Sequence, residues 1–94
     1  MGDGRGREEP VADSVTSGEQ VFAVVRDVVL EVLPDVAAAQ VDVDGTLTDL
    51  GANSIDRADI VTLAQERLGI VVPAERFRAV SDIGSLVEVL RLNL

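Results

Sequence analysis

The sequence predicts an all-α fold, a small four-helix bundle with a long first loop and a short third helix. Three observations lead there. Apolar residues recur at helical spacing in separate stretches, capping and helix-ending residues stand at the ends of those stretches, and the composition suits a core of small helices. The 94 residues have room for one domain, and they are 47% hydrophobic but only 2% aromatic, the aromatics being Phe22 and Phe77. The core must therefore be Val, Leu, Ile and Ala, which favours packed helices over a deep pocket for a ring-shaped ligand. A chain this short buries roughly 60–65% of its unfolded surface, enough for a single core.

Residues 1–16, MGDGRGREEPVADSVT, mix Gly, Pro, Ser and charge without an apolar period and are expected to be a disordered tail. Ser17 followed by Gln20 has the form of a capping box, and the first helix is expected to start there. Phe22, Val25, Val29 and Val32 then follow helical spacing, with Val21 and Val28 widening the stripe, and Arg26, Asp27 and Glu31 lie off it. The run is rich in Val, which by propensity alone also suits a strand; capping and length favour helix. Pro34 closes the segment.

Residues 34–53 form the long connection, with turn residues and apolar anchors expected at Val36, Val41, Val43, Leu47 and Leu50. Loops of this length inside a compact domain are usually functional. A second helical pattern starts near Ser54, with Ile55, Ala58, Val61 and Leu68 on one side and Ile60, Leu63 and Ala64 broadening it; Gly69 ends it. An extended link comes next, then Pro73 starts one or two helical turns that hold Phe77 and Val80. Ser81 is expected to cap the last helix, which places Ile83, Leu86, Val87 and Leu90 on one face.

Composition also narrows the chemistry. The chain has no Cys, His, Lys, Tyr or Trp, which removes thiol catalysis, disulfides, imidazole bases and nearly every zinc site. Eight arginines face 17 carboxylates, a formal charge of −9 with pI near 4.2. Such a field repels nucleic acid and anionic membranes and attracts basic partner surfaces, although an acidic excess also keeps a small domain in solution. The N-terminus is polar and Gly-rich, and no apolar run approaches a membrane span, so a cytoplasmic chain is expected.

The stretch VDVDGTLTDLGANSID, residues 41–56, supports two readings. Its left end, Asp42-Val43-Asp44-Gly45-Thr46, resembles the nucleophile motif of haloacid-dehalogenase-type phosphatases. That chemistry needs a buried parallel strand before the Asp and a cation for the phosphate, usually Lys. Here Pro34-Asp35 and an Ala-rich run precede Asp42, and Lys is absent. A calcium loop fails too, because Gly45 stands where an oxygen ligand belongs and no Glu occupies the twelfth position. The left end reads as a polar turn, and no metal site or catalytic residue is expected.

At the right end, Ser54 falls where a Gly-containing loop meets an amphipathic helix, a place where free N–H groups and the helix dipole stabilise an anion. Taken alone, Ser54 or Asn53 is equally an ordinary N-cap. The surrounding run LTDLGANSIDRADIV resembles the phosphopantetheine attachment site of acyl and peptidyl carrier proteins, with Asp49, Leu50, Gly51, Ser54, Asp56, Asp59 and Val61 in step. The resemblance extends over residues 17–94, which it implies are one acyl carrier domain. It implies that Ser54 bears a covalent 4′-phosphopantetheine added by a phosphopantetheinyl transferase, and that the chain is a carrier, not an enzyme.

Asp49, Asn53, Ile55, Asp56, Arg57, Asp59 and Glu66 are then the expected partner-binding residues, with acids inviting basic partners and Arg57 interrupting the acidic face. The partners implied are an acyltransferase, a ketosynthase or an enzyme resembling HMG-CoA synthase, in polyketide or fatty-acid-like biosynthesis, and the chain is expected to be a monomer. The sequence departs from the family pattern at two points: Asn53 replaces the usual Asp before the serine and Ile55 the usual Leu after it. The run GANSIDRADI resembles more closely the free-standing donor carriers of polyketide β-branching cassettes. A helical adaptor or dimerisation module without a prosthetic group is the alternative from another class.

Overall fold

The computed structural model describes the backbone of residues 3–94 and the side chains of residues 18–94. The architecture is all-α: α1 (Asp3–Val32), α2 (Ser54–Leu68) and α3 (Ile83–Leu92), with short 3₁₀ turns at Ala38–Gln40 and Ala74–Phe77 and no strand among the described residues. Three α-helices rather than four make up the bundle, because the short third helix is a single 3₁₀ turn starting after Pro73.

The helix start expected at Ser17 does not occur, since α1 is continuous through that position. Extending an existing helix needs one hydrogen bond per residue, whereas a new start must be nucleated. The expectation of a disordered tail falls on residues whose side chains lie outside the described residues, as residues 1 and 2 do entirely.

Helix α1 is the spine and packs against both α2 and α3. Val21, Val25, Val28 and Val29 form its buried stripe, so Val21 and Val28, expected only to widen it, are central, and Phe22 and Val32, expected within it, lie at the margins. Val is stiff at χ1, so this stripe loses little side-chain entropy on packing. Helix α3 turns in Ile83, Leu86, Val87 and Leu90, the four residues its pattern names. Burying each large side chain contributes about 1.5–3 kcal/mol.

Helix α2 is rotated from expectation. Ile60 and Ala64 are its fully buried residues, while Ile55 and Ala58 are exposed. The apolar residues of α2 surround more of its circumference than one seam needs, so contact with α1 selects the Ile60–Ala64 side. Gly69 ends the helix in the left-handed region at φ +71°, donating to Glu66 while Ile70 donates to Gln65, a Schellman motif. Gln65 then fastens the link: its Oε1 accepts from Val72 N–H at 2.6 Å.

The long loop is pinned to α3. The Ile83 N–H donates to Gly45 O at 2.9 Å and the Gly84 N–H to Val43 O at 2.8 Å, so the loop satisfies two free donors of the helix N-terminus. Val41 is buried, and Val36, Leu47 and Leu50 pack partly against the core. Val43 is not the apolar anchor expected; its side chain is exposed and it holds the loop through its carbonyl instead. The cap of α3 is Asp82 rather than Ser81. Its Oδ1 accepts from Ser85 N–H at 2.8 Å, while the Ser85 hydroxyl accepts from the Asp82 and Ser81 N–H groups, both at 3.0 Å. Ser and Asp cap about equally well, and because α3 starts at Ile83 the cap position falls on Asp82.

Candidate functional site

The site is built on the junction between the long loop and α2. Leu50 and Ala52 both donate to Leu47 O, at 3.1 and 3.0 Å, and Gly51 donates to Thr48 O at 2.9 Å. Closing this double turn puts Gly51 at φ +97°, a region that favours glycine, which is the role its place three residues before the serine suggests. Ala52 is buried beside it and anchors the turn. The chain reverses there and enters α2 with Ser54 as its first helical residue.

Asn53 caps the helix. Its Oδ1 accepts from Asp56 N–H at 2.7 Å, and the Asp56 carboxylate accepts from Asn53 N–H at 3.2 Å. The departure from Asp at this position therefore keeps the capping function while removing a charge. Asp56 is half-buried and engaged in this box, so its carboxylate is shared between helix start and surface. Asp49, exposed, has its N–H on Thr46 Oγ1 at 3.0 Å.

Ser54 itself is exposed, with its hydroxyl at the helix start, where backbone donors lack intrahelical partners. Its side-chain neighbour is Arg57, whose Nη2 lies 3.4 Å from Ser54 Oγ and whose Nη1 donates to Thr48 Oγ1 at 2.8 Å. An accessible hydroxyl beside a guanidinium and free helix N–H groups suits a phosphodiester, so the residues present fit a phosphopantetheine arm.

The structure thus gathers Asp49, Asn53, Ser54, Asp56 and Arg57 around one helix end. Ile55, Asp59 and Glu66 stand apart from that cluster, spaced along one exposed face of α2 together with Thr62. Ile55, at the N-terminal end of that face, is 71% exposed. Sequence reasoning missed Thr48 and Gln65. Thr48 is reached from nine residues away and carries no periodic signal of its own; Gln65 is one of several polar residues on α2, and only its link to Val72 distinguishes it.

A cleft of about 450 Å³ opens between α2 and the segment leading into α3, with Leu47, Ala58, Val61, Phe77 and Leu86 among its walls and Arg57 at its polar part. The left-hand motif is a turn: Asp42 Oδ1 accepts from Asp44 N–H at 3.3 Å and Gly45 donates to Asp42 O at 3.0 Å. Among the described residues no group of acidic side chains could hold a metal ion, and no helix is long and apolar enough to cross a membrane.

Comparison with known proteins agrees with this geometry. The family described as the phosphopantetheine attachment site matches residues 23–90. The chain is 36% identical over 72 residues to the polyketide biosynthesis acyl-carrier-protein AcpK of Bacillus subtilis, covering 77% of this chain and 88% of that protein. It is 38% identical over 78 residues to an acyl carrier protein of Campylobacter hominis, covering 79% and 98%. An acyl carrier protein of Helicobacter acinonychis is 31% identical over 74 residues, covering 78% and 94%. No solved structure matches the chain. These likenesses do not favour an adaptor without a prosthetic group.

Proposed function

The chain belongs to the phosphopantetheine attachment site family, and on that premise we propose that Ser54 is the residue that bears its 4′-phosphopantetheine. The protein is a carrier rather than a catalyst: it holds acyl groups as thioesters on the arm and presents them to enzymes of polyketide or fatty-acid-like biosynthesis. The observation that carries the assignment is the Ser54 hydroxyl, exposed as the first helical residue of α2 behind the Gly51 turn.

Loading requires a transferase to dock on this face. In loading, the Ser54 oxygen would bond to the phosphorus of the pantetheine phosphate of coenzyme A, adenosine 3′,5′-bisphosphate would leave with the electrons of the broken phosphorus–oxygen bond, and the hydroxyl proton would pass to solvent. The arm supplies a terminal thiol, which a chain without cysteine cannot offer. The chain's own contribution is placement. Gly51 turns the backbone, Asn53 and Asp56 lock the helix start, and Ser54 is held clear of the core.

Ile55, Asp59 and Glu66 form the docking strip, an apolar knob followed by acids that attract arginine and lysine on a partner. Binding of this kind is transient and weakened by salt. Because the donor is coenzyme A, loading is assigned to the cytoplasm. The GANSIDRADI run and the likeness to a polyketide biosynthesis carrier support placing the chain in a β-branching cassette, as a donor to an enzyme resembling HMG-CoA synthase.

The test is intact mass after incubation with coenzyme A and a broad-specificity transferase. The wild type gains the mass of one phosphopantetheine and Ser54→Ala gains nothing. A gain that persists in Ser54→Ala would move the attachment point elsewhere.

A further inference from the structure

We propose that Arg57 is the built-in counter-ion of the phosphodiester, so that its guanidinium, tethered by Thr48, clamps the root of the arm. This rests on the assignment of the arm to Ser54 and gives Arg57 a specific role at its root.

Ser54 and Arg57 are three residues apart on α2 and so share one side of the helix. Arg57 Nη2 lies 3.4 Å from Ser54 Oγ, the atom to which phosphorus would be bonded, while Nη1 is held at 2.8 Å by Thr48 Oγ1 from the loop. The guanidinium is therefore fixed across the serine from two sides. Its planar fork of donors matches the non-bridging oxygens of a phosphodiester.

The charge pattern points the same way. A cation in the first turn opposes the helix dipole and is normally unfavourable there. Asp49, Asp56 and Asp59 are all close in sequence, yet among the described residues Arg57 pairs with none of them. Arg26, Arg67 and Arg91 pair with Asp27, Glu31 and Glu88, whereas among the described residues Arg57, Arg76 and Arg78 form no ion pair, and of these three only Arg57 makes side-chain hydrogen bonds. Arg57 instead reaches two hydroxyls, one of them the modification point. A phosphodiester arriving there adds negative charge to a chain already at −9, and Arg57 is the cation placed to meet it.

The experiment uses wild type, Arg57→Gln and Arg57→Lys, each loaded from coenzyme A and checked by intact mass. Failure of the wild type to gain mass overturns the Ser54 assignment and the clamp with it, a result distinct from any spectroscopic one. In the loaded wild type, arginine-labelled NMR should show the Arg57 guanidinium protons sharpened relative to the unloaded protein, with scalar coupling to ³¹P across the hydrogen bond. The ³¹P resonance should shift in Arg57→Gln and move only part of the way in Arg57→Lys, which keeps the charge but not the fork. Identical Arg57 resonances before and after loading, with mass gain confirmed, overturn the clamp alone. That comparison needs only the wild type, so it stands even if a variant fails to fold.

Discussion

At Gly84 the loop occupies the space where a side chain would be. A Cβ there would sit 3.0 Å from Val43 O and 3.4 Å from Val43 Cβ, while the Gly84 N–H donates to that same oxygen at 2.8 Å. Hydrogen bond and close approach are one feature: the loop carbonyl can cap α3 only because residue 84 is small. Gly84→Ala should therefore push the loop off the helix end and destabilise the domain by about 1–3 kcal/mol. Urea denaturation monitored by circular dichroism measures this, and an unchanged midpoint would mean that the loop yields without loss. Gly51 is constrained differently, by its φ of +97° with open space around its Cβ position, so any cost of substitution there is conformational.

At the scale of the element, both ends of α2 and the start of α3 are closed by identifiable devices. Asn53 with Asp56 opens α2, the Schellman turn at Gly69 closes it, and Asp82 with Ser85 opens α3. Hydrogen bonding from Ser85, side chain first and then backbone, holds the Asp82 carboxyl below its ordinary range. Glu88 is likewise lowered, by its hydrogen bond from Arg91. For a carboxyl whose folded value is depressed, the stabilisation is complete above the unfolded pKa of about 3.9 and is lost as pH falls through the folded value. Asp82→Asn keeps a good cap without a titrating charge. The stability advantage of wild type over Asp82→Asn should thus shrink as pH is lowered from about 6 toward 3, a window set by that unfolded carboxylate value. A difference that stays constant over that range would exclude Asp82 as a source of acid sensitivity.

For the whole molecule, electrostatics and packing pull in opposite directions. A core dominated by Val, Ile and Leu is shared among three helices, with α1 as common partner. Against it stands a formal charge of −9, whose self-repulsion works against compactness. The ion pairs Arg67–Glu31 and Arg91–Glu88 are solvent-exposed and worth little individually. Screening should therefore relieve more repulsion than it removes attraction. The melting temperature should rise as ionic strength goes from about 0.01 M to 0.15 M, where the Debye length shortens from roughly 30 to 8 Å. A fall, measured by calorimetry, would show that the ion pairs outweigh the repulsion. The same salt should weaken docking of a basic partner on Asp59 and Glu66.

Legibility tracked the range of each interaction. The stripe of α3 was readable residue by residue because a single amphipathic face allows one docking orientation. The stripe of α2 was misread by part of a turn, since Ile55, Ala58, Ile60, Val61, Leu63 and Ala64 offer several faces and only contact with α1 decides among them. The turn at Gly51 and the serine behind it were visible, because a glycine before a helix start is a local signal. Thr48 was not, because its contact with Arg57 depends on the loop folding back on the helix.

What the sequence determined by itself is what periodicity and chain stiffness encode: an all-α class, the positions of α2 and α3 within a few residues, and one serine at a helix start after a forced turn. Those features rest on interactions within about four residues along the chain. The tertiary structure alone decided that Val43 anchors through its carbonyl, that Ile60 and Ala64 form the buried side of α2, and that Arg57 lies across the serine hydroxyl. Each of these depends on how separate segments cross in space, and packing selects one arrangement where the local pattern permits several.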